Sequence, residues 1–80
     1  MAKEQQDYLW RATYTHSRAL PGMNYDFYVH APDEETAKMR AGMARAESLV
    51  TYWTDKMFPW PKKVKWIRLS LEKVEDVERN

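Results

Sequence analysis

The chain contains no cysteine and only two glycines among its 80 residues. Without cysteine it forms no disulfide, offers no thiolate nucleophile and holds no cysteine-bound zinc. Two isolated glycines cannot build a loop that cradles phosphates. Apolar runs extend only a few residues, so no segment reads as a membrane span. The opening Met-Ala-Lys-Glu-Gln-Gln-Asp lacks the apolar core of a signal peptide. Histidines number two, His16 and His30. With Asp26 they form the one grouping that suggests metal ligation, but their spacing fits no zinc or iron pattern. Surface hydrogen bonding is the reading taken for them. No Ser-His-Asp arrangement is visible. The carboxylates concentrate at residues 33–35 and from Glu72 onward, where helix capping and solubility account for them. A single helix on three strands also leaves little room for a catalytic pocket. The expectation is a non-enzymatic protein with no metal and no cofactor.

What the chain does have is rings and a basic block. Four Trp, five Tyr and two Phe are unusual for this length. One domain of this size buries about 60–65% of its unfolded surface, so large rings matter to its stability. The formal net charge is only +1, yet the charges are segregated. Lys56, Lys62, Lys63, Lys65 and Arg68 fall in residues 56–71, which contain no carboxylate. Acidic stretches flank this block, unlike the uniform basicity of many nucleic-acid binders.

The spacing predicts an α+β domain of ββαβ order. Tyr8, Trp10, Ala12 and Tyr14 alternate with Leu9, Arg11, Thr13 and Thr15, and Tyr25, Phe27, Val29 and Ala31 alternate with Asp26, Tyr28 and His30. Both segments read as strands, joined by a loop with Leu20-Pro21-Gly22 turn chemistry. Pairing Tyr14 with Phe27, Ala12 with Val29 and Trp10 with Ala31 collects the apolar side chains on one face. Asp33 is the expected N-cap of one long helix, with Glu34 and Glu35 at its positive end. The helix extends to about Trp53–Met57. Ala37, Ala41, Ala44 and Ser48 form its sheet-facing stripe. Met39, Met43, Ala46, Val50 and Trp53 form a second stripe, read as core or its rim. Gly42 is assigned to close packing. Phe58-Pro59-Trp60-Pro61 ends the helix. Lys63 to Val74 is the third strand, with Ile67, Leu69 and Leu71 buried and Val64, Trp66, Arg68 and Ser70 on the other side. The predicted sheet is three-stranded and antiparallel, order 2-1-3, with the helix on one face. Residues 1–80 form one domain, frayed at 1–6 and 75–80.

The uncovered sheet face would then carry Arg11, Thr13, Tyr28, His30, Trp66 and Arg68. Tyr, Trp and Arg are the types enriched at contact hot spots. In an alternative placement Trp66 folds over the edge and closes the core under Trp60. The expected contact residues are Arg11, Tyr28, His30, Trp60, Lys63, Lys65, Trp66 and Arg68. A different reading makes segment 58–68 a nucleic-acid-binding module, with Trp60 and Trp66 stacking on bases and Lys62, Lys63 and Lys65 on phosphates. A third makes the chain a structural or oligomeric accessory protein whose edge strands pair across a two-fold axis.

The run Phe27-Tyr-Val-His-Ala-Pro-Asp-Glu-Glu-Thr-Ala37, the alanine-rich helix after it, and the late Val-Lys-Trp-Ile-Arg-Leu strand resemble small bacteriophage-encoded host-takeover proteins. In layout the chain is similar to phage inhibitors of host RNA polymerase, which open with an aromatic strand like Leu9-Trp10-Arg11-Ala12-Thr13. Anti-CRISPR proteins of similar size share the pattern. The Phe-Pro-Trp-Pro-Lys-Lys segment departs from it, and no functional residue is carried over. The resemblance implies a viral protein in the host cytoplasm, and the chain is expected to be a monomer or weak dimer. Such a protein binds and inhibits or modulates a bacterial host complex, either RNA polymerase or a defence complex.

Overall fold

A computed structural model of the chain describes residues 7–59, 61 and 63–74. The elements run β1 (Tyr8–His16), β2 (Tyr25–Ala31), α1 (Glu34–Ala46), α2 (Leu49–Met57) and β3 (Trp66–Lys73). The three strands form one antiparallel sheet in the order β2-β1-β3. The fold is α+β with the predicted sheet order. Trp60, Lys62 and the two segments expected to fray lie outside the described residues.

The hairpin is fixed by its loop. The backbone N–H of Met23 donates to Leu20 O at 2.9 Å, and Gly22 sits at φ 82°, which closes a turn with Pro21 at its first central position. The register differs from the predicted one by two residues: Tyr14 pairs with Tyr25, Ala12 with Phe27, Trp10 with Val29 and Tyr8 with Ala31. A slide of two leaves every side chain on its face, so hydrophobic pattern alone cannot distinguish the two registers. In the observed register Tyr8–Tyr14 span the whole of β2, and Thr15 and His16 pair with β3 alone. Tyr14 still meets Phe27, now as a diagonal neighbour, with ring centroids 5.8 Å apart and edge to face.

The helix layer is two helices, not one. α1 starts as expected: the Asp33 side chain accepts from Thr36 N at 2.8 Å. That bond, with a smaller contribution from the Thr36 side chain, holds the Asp33 carboxyl below its ordinary pKa. Ala37 and Ala41 are fully buried against Trp10, Ala12, Tyr14 and Ala31. Small side chains let the helix approach the sheet, and the Trp10 indole N–H donates to Ala31 O at 2.9 Å within this core. The chain breaks at Glu47-Ser48. Ser48 N-caps α2 by accepting from Thr51 N at 3.1 Å, while the Ser48 and Thr51 hydroxyls donate to Arg45 O at 2.8 and 2.6 Å. Two hydroxyls thus converge on one late carbonyl of α1 while Ser48 opens α2, which offers the backbone an alternative to continuing straight. Gly42 is not a close-packing site: a Cβ built there meets no atom within 4 Å.

β3 departs most from expectation. Thr13 pairs with Ser70, but Tyr14 pairs with Arg68, so Leu69 is an extra residue in a bulge. Beyond the bulge the faces exchange. Leu71 still lies opposite Ala12 in the core, yet Trp66 lies opposite His16 and Ile67 opposite Thr15. Trp66 therefore packs on the helix side, and Ile67 and Leu69, predicted as buried, are 44% and 51% exposed. The separation of Leu71 from Trp66 is odd, so only a bulge puts both on the covered face.

Candidate functional site

The expected contact residues do not form one surface. Arg11, Tyr28 and His30 lie on the uncovered face, with Arg11 opposite Tyr28 and His30 opposite Leu9. Trp66 and Arg68 pair with His16 and Tyr14 on the helix side, which corrects their assignment to the open face. Lys63 and Lys65 are exposed in the approach to β3.

The uncovered face is polar, and several of its groups engage one another. Arg11 pairs with Glu72 across β1 and β3. The Glu72 carboxylate first, and Tyr28 second, hold the Arg11 guanidinium more firmly in its charged form. Thr13 donates to Asp26 at 2.8 Å, and Thr15 to Met23 O at 3.2 Å. Groups bonded in this way gain little by exchanging partners.

Trp66 is held inside an aromatic cluster. Its ring lies 4.8 Å from His16, edge to face, and 5.8 Å from Tyr25. The Arg45 guanidinium covers it at 4.9 Å, a cation–π contact. The indole Nε1 is buried and has no acceptor among the described residues. Burial lowers the His16 pKa, because the cluster disfavours imidazolium. His16 Nδ1 accepts from the Arg18 backbone N–H at 3.2 Å, which places the neutral ring's proton on Nε2. His16 and His30 sit on opposite sheet faces. Among the described residues no three His, Asp or Glu side chains converge.

The site that sequence reasoning missed is α2. Its inward side is polar: Thr51 and Thr54 are buried. Its outward side is apolar: Leu49 is 71% exposed, Tyr52 51%, Trp53 60% and Met57 68%. Leu49, Trp53 and Met57 fall at i, i+4 and i+8, a single stripe, and the Tyr52 ring lies edge to face with Trp53 at 5.1 Å. Trp53 is thus surface rather than core. Met39 and Met43, also expected in the core or its rim, lie exposed on α1. The missed signal was Ser48-x-x-Thr51, which ends one helical phase and starts another.

Beside the stripe, a groove of about 310 Å³ opens between the end of α2, loop 17–24 and the end of the sheet. Leu20, Met23, Met57 and Phe58 supply its apolar lining, with His16 and Tyr25 from the sheet. Arg18 stacks over the Phe58 ring at 4.8 Å. No described helix is long and apolar enough to cross a membrane. The chain matches no protein-family model, no curated protein and no solved structure.

Proposed function

We propose that this chain is a non-enzymatic binding protein whose contact surface is the outward stripe of α2, Leu49, Tyr52, Trp53 and Met57. The observation that supports it is the reversed amphipathicity of α2: threonines inside, large apolar groups outside. Water around such a stripe is released when a second apolar surface covers it. Trp and Tyr at its centre are the residue types that dominate contact energies. The layout resemblance supplies the class of partner, a bacterial host complex such as RNA polymerase or a defence complex, and with it a phage origin. In this reading the protein inhibits or modulates that complex by occupying a surface on it.

The nucleic-acid reading has lost one of its two stacking rings, since His16, Tyr25 and Arg45 occupy the surroundings of Trp66. The test is affinity capture from bacterial lysate with the wild-type chain and a Trp53→Ala variant. A stoichiometric protein retained by the first and lost by the second supports the proposal. Equal recovery by both would remove α2 as the contact surface.

A further inference from the structure

Buried polar side chains in folded proteins are nearly always hydrogen-bonded. Two that have no partner among the described residues line one groove, the one beside α2. His16 is 7% exposed and Thr54 8%. His16 Nδ1 accepts from the Arg18 backbone N–H, so the neutral ring carries its hydrogen on Nε2, and this donor meets no described acceptor. The Thr54 hydroxyl has no described partner either, whereas those of Ser48 and Thr51 both reach Arg45 O. Unlike Trp66 Nε1, neither atom is sealed from solvent. For side chains this buried, the groove that both line is the opening that reaches them.

The other walls are apolar. Leu20, Met23, Met57 and Phe58 supply them, and methionines adapt to irregular shapes. The volume of about 310 Å³ is at the small end of ligand pockets, roughly 300–1,000 Å³. It suits a small molecule rather than a large cofactor. The hydrogen-bonding groups on the lining are weighted towards donors. His16 Nε2 and the Arg18 guanidinium can only donate, while Thr54 and Tyr25 can donate or accept. The Tyr25 hydroxyl is turned to Met23 Sδ at 3.4 Å, and a thioether is a weak acceptor, so this hydrogen is open to a better one.

We infer that this groove is a binding site for a small apolar molecule bearing one acceptor oxygen group, a ketone or a carboxylate, with the oxygen towards His16 and Thr54 and the apolar body against Leu20, Met23 and Phe58. The unpartnered donors select the oxygen. A donor held away from bulk water without a partner carries a cost that an incoming acceptor removes. Net charge is not the selector, since Arg18 is the one charged residue on the lining and it already lies over Phe58. The inference goes beyond the α2 surface: Met57 is the residue common to both, and the groove needs no protein partner to fill.

The experiment titrates the isotope-labelled full chain with four probes that share one phenylalkyl body and follows backbone amide shifts. Benzylacetone carries a ketone, hydrocinnamate a carboxylate, phenylpropylamine an ammonium group, and butylbenzene no polar group. The ketone and the carboxylate are expected to move His16, Leu20, Met23 and Thr54 and to bind roughly ten-fold tighter than butylbenzene. The amine should bind no tighter than butylbenzene. Thr54→Val keeps the side-chain shape and removes the hydroxyl. It should weaken the ketone and the carboxylate about five-fold, leave butylbenzene unchanged, and leave the urea midpoint of unfolding no lower, because the lost hydroxyl had no partner. A ketone or carboxylate that binds no better than butylbenzene overturns the inference and leaves water as the occupant. An amine that matches them overturns it as well. So does a Thr54→Val variant that keeps full ketone affinity, or one that unfolds more readily, since the hydroxyl would then be partnered within the fold.

Discussion

α1 and α2 are consecutive helices whose relations to solvent are opposite. α1 buries Ala37 and Ala41 against the sheet and turns Lys38 and Arg40 outward. α2 buries Thr51 and Thr54 and turns out Leu49, Tyr52, Trp53 and Met57. α1 docks its alanine stripe on the sheet and leaves Met39 and Met43 exposed. α2 is N-capped by Ser48, its Thr51 hydroxyl ties it to Arg45 O of α1, and its apolar surface remains in water. The contrast shows that apolar periodicity alone does not locate a core. A stripe records a need for cover, and whether the chain itself meets that need depends on where the helix axis points.

The sharpest way to break the comparison is to attack each helix's apolar contacts in turn. Trp10→Ala removes the ring beneath α1 and should cost about 3–5 kcal/mol, enough to unfold much of the population as read by circular dichroism. Trp53→Ala on α2 should change stability by no more than about 0.5 kcal/mol in denaturant unfolding, while weakening partner binding by about 2 kcal/mol in calorimetry. A large stability loss from Trp53→Ala would make α2 a core helix after all. Ser48→Ala tests the junction between the helices. Loss of the cap should cost about 1 kcal/mol, seen as a lower urea midpoint. Gly42→Ala acts in the opposite direction: with open space around the new methyl group, it should stabilise by about 0.5–1 kcal/mol. The smallest effect is the pH dependence carried by His16. Burial lowers its folded pKa below 6.5, so the unfolded chain binds the proton more readily. Stability should fall as pH drops below about 6.5, and His16→Gln should flatten that slope in thermal unfolding at a series of pH values.

Much of the architecture was legible in the residues. Alternation located β1 and β2, Asp33 announced α1, and Leu-Pro-Gly announced the turn. The sheet order followed from the simplest antiparallel wiring. What was not legible has a physical reason in each case. The hairpin register is invisible to a pattern of period two when the slip is two residues. The helix break was hidden because Ser48 also suits a stripe of small residues. The bulge at Leu69 carries no glycine to mark it, so unbroken alternation in β3 assigned Trp66 and Ile67 to each other's faces. The candidate site was missed for the same reason that α2 is unusual: its large side chains were assumed to point inward.

That one extra residue in β3 also bears on how the gene tolerates change in length. Deleting Leu69 would remove the unpaired residue and let the ladder run without a bulge. Ser70 would still meet Thr13 and Arg68 would still meet Tyr14, so Trp66 would stay beside His16 and under Arg45. With the even spacing from Leu71 to Trp66 that results, plain alternation would place both on the covered face. In this chain a single codon at position 69 separates a regular strand from a bulged one.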